Sequence, residues 1–314
     1  MKSSPYHIQD PISCPACGGE QWDFFFAGAD LTGAVPGAFN YVHCPRCSMI
    51  RMDPLPDEAQ LASWYPSDYP CHRKSGNPLA RYVQNWLRRK DARRITRSAG
   101  RTGTVLEIGC GIGQFLSILR EFGWNVVGLE PNPGAIQVGQ EVFGVDIRQG
   151  TLRPGLFEPA QFDCVVLQHV LEHVPDPTSL LQEIGRLLRP EGLLFLAIPN
   201  YDSWDRRVFM RYWYGYDVPR HVFIYSQSNA TAFLAGHGFQ VLAIRHSPVP
   251  NNYAGSVKFF CQRQRALRWA AGFFHPTNPL TWPIFLPFSV LGALIRQSGR
   301  IEVLARRTGG DVSP

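Results

Sequence analysis

The chain predicts an α/β fold, a parallel sheet with helices on both faces, preceded by a small cysteine-rich module. Three observations predict it. From Thr104 onward, short apolar strands alternate with helical stretches. The first strand runs into a turn with glycine at every second position, Gly109, Gly111 and Gly113. Two Cys-x-x-Cys pairs, Cys14/Cys17 and Cys44/Cys47, lie near the N-terminus.

The 314 residues are 45% hydrophobic and 12% aromatic. That is enough for one large domain and a small one, and it excludes global disorder. Met1 to Pro5 leads into a polar stretch with no apolar signal region, so the sequence predicts a cytoplasmic protein. Eight cysteines are dilute in a chain of this length, and four of them are paired at metal-ligand spacing rather than disulfide spacing. The formal charge of +6 is local: Arg73 to Arg101 holds ten Lys/Arg against the single acid Asp91.

In the first segment, Cys14-Pro-Ala-Cys17-Gly-Gly is separated by 26 residues from Cys44-Pro-Arg-Cys47. Four thiolates suit a closed tetrahedral site, so a structural zinc ribbon is predicted. The aromatic residues Trp22, Phe24 to Phe26, Phe39 and Tyr41 supply two or three short strands, with an extended loop near Gly28–Phe39. The alternative is redox-active thiols, which are expected at a helix N-terminus beside a βαβ unit, and neither pair has that setting. With all four positions filled by cysteine, the metal holds the module folded and does no chemistry. A short helix follows Asp53-Pro-Leu-Pro and ends near Tyr65, so the ribbon and its connection occupy residues 1–72.

Residues 73–101 form a basic linker, helical over 77–99. Leu79, Tyr82, Val83, Trp86 and Leu87 recur at helical spacing, and Arg88, Arg89, Lys90, Arg93, Arg94 and Arg97 crowd its second half. Such a helix can bind an anionic membrane or nucleic acid. The plainer alternative is a solvated face whose apolar side docks on the main domain.

The main domain is predicted at 102–246 and 300–308. Thr104–Ile108 is the first strand, and a helix from Gln114 to Phe122 follows the glycine turn. This is not the dinucleotide fingerprint, because Gln114 stands where that pattern needs glycine. Instead Glu107 lies two residues before Gly109. A carboxylate there suits a ligand with a cationic amino-acid portion rather than a pyrophosphate. The second strand, Asn125–Leu129, ends in Glu130, which is placed to accept hydrogen bonds from both hydroxyls of a ribose. Later strands are expected at 146–152, 162–167, 193–198, 238–245 and 299–306, with helices over 178–188 and 226–236.

Several stretches together resemble one family. They are Val105-Leu-Glu-Ile-Gly-Cys-Gly-Ile-Gly-Gln-Phe115, Gly128-Leu-Glu-Pro131, Phe162-Asp-Cys-Val-Val-Leu-Gln-His-Val-Leu-Glu-His-Val174 and Leu187-Leu-Arg-Pro-Glu-Gly192. The chain resembles class I S-adenosylmethionine-dependent methyltransferases of the ubiquinone/menaquinone-methyltransferase-like superfamily. Pro219-Arg-His-Val-Phe223, then Ser226, resembles a branch that often carries an N-terminal zinc ribbon and acts on small molecules, including sugars and cell-envelope precursors. The resemblance implies a Rossmann-like seven-stranded sheet. It also implies an S-adenosylmethionine pocket lined by Glu107, Gly109, Gly111, Gly113, Glu130, Gln168 and His169.

His169-Val-Leu-Glu172-His173 also matches the H-x-x-E-H signature of zinc proteases, but that chemistry needs the motif inside a helix. Here it follows a strand and is broken by Pro175 and Pro177. For His173 the alternatives are a capped turn over the pocket and a role in proton transfer. His221, in a loop after the fifth strand, is the first candidate for general base; otherwise it only fixes the loop. In-line transfer needs acceptor, methyl and sulfur aligned at about 3–3.5 Å, plus a base when a hydroxyl or acidic carbon is methylated.

Residues 247–299 are a predicted helical insertion before the last strand, and 309–314 a tail. Trp269 to Ile295 contains no Lys, Arg, Asp or Glu, but four prolines break it too often for a membrane span. A lid, a homodimer surface and a peripheral membrane contact are its three readings. A small-molecule methyl acceptor is the expected partner. The enzyme rival is an RNA methyltransferase, disfavoured because Gln168-His-Val-Leu171 stands where base-amino methylation uses an Asn/Asp-Pro-Pro-aromatic motif. The non-enzymatic rival is a cofactor-binding scaffold.

Overall fold

The structure is a computed structural model, and it describes residues 6–65 and 78–308, with side chains from Arg81 onward in the second stretch. The Met1–Pro5 stretch, the connection at 66–77 and the tail at 309–314 lie outside the described residues.

The main sheet has seven strands: β4 (Thr104–Ile108), β5 (Asn125–Glu130), β6 (Ile147–Gln149), β7 (Phe162–Gln168), β8 (Leu188–Pro199), β10 (Phe239–His246) and β11 (Arg300–Arg307). Their spatial order is β10-β11-β8-β7-β4-β5-β6. The expectation of a parallel sheet needs one correction. β4 to β8 pair in parallel, but β11 runs antiparallel to both β8 and β10. The cause is the insertion. It leaves the end of β10 and re-enters at the facing end of β11, with His246 paired to Ile301, so two neighbouring strands are joined at one end. That end is also where the chain leaves β4, β5, β7 and β8. The insertion therefore stands at the ligand-binding edge of the sheet.

Alternation along the central strands builds two cores. Leu106, Ile108, Val165 and Leu167 pack on one face with Leu181 and Ile184 of α5 (Pro177–Leu187). Val105, Cys164 and Val166 pack on the other with Phe115, Ile118 and Leu119 of α3 (Gln114–Glu121). The α4 helix (Pro133–Phe143) is capped by the Asn132 side chain, and α7 (Gln227–Gly236) by Ser226 and Asn229 in a reciprocal pair.

The basic helix, α2 (Pro78–Ala99), is present, but the docked side differs from the expected one. Tyr82 and Trp86 face solvent, while Ala92 and Ile95 are fully buried against Phe115 and Trp124. Small and β-branched residues in the second half let the helix lie close on α3. The Trp86 ring is instead covered by the Lys90 ammonium, 3.4 Å from its centroid.

The N-terminal module forms β1 (Asp23–Gly28), β2 (Phe39–His43) and β3 (Ile50–Met52), followed by α1 (Glu58–Ser63). Its sheet gains a fourth strand from the main domain, β9 (Phe223–Ile224), paired antiparallel to β3. Tyr41, Val42, Met49 and Ile50 share one continuous core with Phe223 and Tyr225. The insertion holds α8 (Pro250–Arg263) and α9 (Trp282–Leu294), with short 3₁₀ turns between them; α6 (Trp204–Phe209) lies in the loop after β8.

Candidate active site

The four cysteines come together. Cys14 Sγ lies 3.5 Å from Cys47 Sγ, and Cys17 Sγ lies 3.5 Å from Cys44 Sγ. All four sulfurs fall within 4.8 Å of one another. Zinc–sulfur bonds of about 2.3 Å in a tetrahedron need sulfurs about 3.8 Å apart, so this donor set fits a closed zinc site. The knuckles are closed by Gly18 N–H to Cys14 O and Ser48 N–H to Cys44 O, both 2.8 Å.

The glycine turn sits at the tip of β4. Gly109 has φ +66°, and a Cβ there would lie 2.6 Å from Val170 Cγ2. Gly113 starts α3 at φ +68°, with Val145 as close to a Cβ position. Both the left-handed backbone and the space therefore demand glycine. Gly109 N–H donates to Leu129 O at 2.7 Å, which ties the turn to β5. At the tip of β5, the two Glu130 oxygens accept from Gly111 N–H at 2.9 Å and Asn132 N–H at 3.0 Å. The carboxylate is buried and aimed at the glycine turn.

Glu107 is buried, and its Oε1 accepts from Gln168 Nε2 at 3.1 Å. Its Oε2 is buried without a hydrogen-bond partner. Burial pushes this carboxyl up to about 8, against the pull of Gln168 and Arg88. An unsatisfied buried acid beside a glycine cradle fits a cationic amino group. Two α2 residues escaped the sequence reading. The Asn85 side chain bonds Gln114 at 2.7 Å, and Arg88 is half-buried with charge facing Glu107. Asn85 had no marker in the sequence, and Arg88 was hidden among the basic residues of a solvated face.

The tip of β7 joins this region to the histidines. Gln168 holds Glu107; the next residue, His169, has φ +55° and places Nδ1 3.1 Å from Glu172 Oε1. Left-handed backbone at a histidine is strain of the kind that concentrates at functional sites. Leu171–His173 is a 3₁₀ turn rather than part of a longer helix, so the zinc-protease geometry is absent. Glu172 is 1% exposed. Burial raises its pKa, but the His169 hydrogen bond and the charges of His169, His173 and His221 outweigh that and hold it at about 2.

His173 and His221 meet with ring centroids 4.7 Å apart at 68°. Each has its Nδ1 2.8 Å from a backbone carbonyl, that of Arg220 for His173 and of Gly215 for His221. A carbonyl only accepts, so Nδ1 of each ring carries a proton and Nε2 is the nitrogen left free to lose or gain one. His221 Nε2 lies 4.0 Å from Glu172 Oε1 and from Asp217 Oδ2. Burial, then the charge of His221, lowers His173 to about 4 and keeps it neutral.

The N-terminal module reaches this loop at several points. Tyr41 donates to His221 O, Asp30 pairs with Arg220 at 3.2 Å, and Tyr65 O–H lies 2.8 Å from His173 Nδ1. Arg220 in turn pairs with Asp217 at 2.6 Å. Beside them is a cavity of about 370 Å³, lined by Phe26, Asp30, Tyr212, Trp213, Asp217 and Arg263 among others. It shares Asp217 with the histidine loop and none of the glycine turn.

The methyltransferase-domain family matches residues 79–244, just over half of the chain, and the chain belongs to that family. The ubiquinone biosynthesis O-methyltransferase of Pseudomonas paraeruginosa is 36% identical over 113 residues, 34% of this chain and 49% of the relative. An uncharacterized methyltransferase of Mycobacterium bovis is 28% identical over 179 residues, 54% of this chain and 61% of the relative. The chain thus spans about half the length of the first of these relatives. A solved structure from Galdieria sulphuraria, provisionally named a sarcosine dimethylglycine methyltransferase, superposes with a TM-score of 0.50 at 16% identity. It covers 72% of this chain and 86% of that one, a likeness of fold.

Proposed function

We propose that the protein transfers the methyl group of S-adenosylmethionine to a small-molecule acceptor, with its four cysteines holding a structural zinc ion. The observation that carries this is the junction at the tip of β7. Gln168 holds the buried acid Glu107 beside the glycine turn, while His169 holds Glu172 beside His221. A cofactor cradle and a base are thereby fixed by adjacent residues.

When bound, S-adenosylmethionine would supply an activated methyl group whose leaving group is the neutral thioether. Glu107 would hold its amino group, Glu130 would receive its ribose hydroxyls, and Gly109, Gly111 and Gly113 would let the backbone approach. His221 Nε2 takes the acceptor's proton. The carboxylates of Glu172 and Asp217, 4.0 Å away, then stabilise the imidazolium. His173, already neutral, presents a second Nε2 to orient the acceptor. The aromatic cavity beside Asp217, with Arg263 in its wall, suits an acceptor with an apolar body and an anionic group.

Calorimetric titration of S-adenosylmethionine and its demethylated product tests this. Micromolar binding is expected, with Glu130→Ala losing about 1.5–3 kcal/mol, the value of a hydrogen bond to a charged group. No binding by folded, zinc-loaded protein would sink the proposal.

A further inference from the structure

The second helix of the insertion is built inside-out, whereas α8 buries Tyr253, Ala254 and Phe259 in the ordinary way. In α9 the buried residues are Ser289 and Gly292, while Ile284, Leu286, Phe288, Leu291 and Leu294 are exposed. Soluble helices do the reverse. Twelve of the twenty large apolar side chains exposed among the described residues fall between Phe260 and Ile295. Trp269 is 84% exposed and Leu294 75%. Concentration of this kind marks a surface that another body covers.

The charges say which body. Residues 247–301 contain no Asp or Glu, while Arg263, Arg265, Arg268 and Arg296 are exposed. A second copy of the chain would bring arginines of one sign together with no acid of the insertion to pair them. An anionic lipid headgroup layer pairs them all. No helix among the described residues is long and apolar enough to cross a membrane. An insertion that exposes an apolar helix, several arginines and one tryptophan has the composition of a body lying in the interface.

We infer that the α8–α9 insertion docks peripherally on an anionic lipid bilayer, with Trp269 and the outer face of α9 in the headgroup boundary. The α8 helix also supplies Phe259 and Arg263 to the aromatic cavity. Docking sets that wall beside the bilayer, where an amphiphilic acceptor is concentrated. This consequence for the substrate rests on the methyltransferase proposal; the docking does not.

The test is co-sedimentation of the full chain with vesicles of phosphatidylcholine, with and without 30% phosphatidylglycerol as a probe composition. Binding is expected only to the anionic vesicles and falls with salt. Trp269→Ala and Leu294→Asp should each weaken it at least fivefold, and Arg265→Ala about fivefold. Melting temperature and cofactor affinity should stay unchanged in all three. Cofactor affinity, read on the same preparations, separates failure of docking from failure of the catalytic proposal. Absence of binding at low salt overturns the inference. So does equal binding to neutral vesicles, or a dimer in sedimentation velocity that Leu294→Asp dissociates while vesicle binding is absent.

Discussion

The Tyr41 hydroxyl donates a hydrogen bond of 2.9 Å to the backbone carbonyl of His221, across 180 residues of sequence. Both groups are buried. The cysteine-rich module is therefore part of the wall behind the proposed base rather than an appendage.

Removing only that hydroxyl, by Tyr41→Phe, leaves a buried carbonyl unpaired and costs about 1–3 kcal/mol. Turnover is expected to fall several-fold with cofactor affinity unchanged. Steady-state kinetics beside calorimetry check it; an equal loss in both would mean general unfolding.

Stripping metal with a chelator, or Cys14→Ser, should release β1 to β3 and with them the partners of His221, Arg220 and His173. A lower melting temperature and loss of turnover are expected together, restored by zinc. A metal content well below one zinc per chain in active protein would contradict the closed-site assignment.

Glu107 gives a pH signature. Its folded pKa of about 8 exceeds the ordinary 4.5, so between those values the folded state binds more protons than the unfolded one. It therefore costs stability progressively as pH rises from 4.5 to 8. A cationic ligand favours the carboxylate and must displace that proton. At pH 7 the binding enthalpy should differ between buffers of different ionisation heat, and Glu107→Gln should erase the difference.

Glu172 and His173 act at the acid end. Glu172 at about 2 contributes stability that is full above 4.5 and lost as pH falls toward 2. His173 at about 4, against 6.5 when unfolded, costs stability as pH falls from 6.5 to 4. Acid denaturation monitored by tryptophan fluorescence should therefore begin near pH 6, and Glu172→Gln should flatten its lower limb.

At Gly109, alanine adds a Cβ 2.6 Å from Val170 and keeps φ at +66°. Destabilisation of about 1–3 kcal/mol is expected, with weaker cofactor binding. Gly155, also at positive φ but with open space around it, is the control and should show only the backbone cost.

What the sequence determined by itself was local or contiguous. The seven strands, the glycine turn, the acids Glu107 and Glu130 and the cysteine pairs are all written within a few residues, where hydrophobic period, turn chemistry and ligand spacing act. Tertiary structure decided what depends on distant partners. Phe223–Ile224 is too short to read as a strand and becomes one only because β3 presents an open edge. His173 and His221, 48 positions apart, meet because the loop after β8 folds back over the tip of β7. The reversed β11 follows likewise from where a long insertion must leave and rejoin the sheet, and the outward apolar face of α9 shows only once its packing is known. Burial of Ala92 and Ile95 instead of Tyr82 and Trp86 was likewise invisible, because helical spacing names an apolar side but not the surface that meets it.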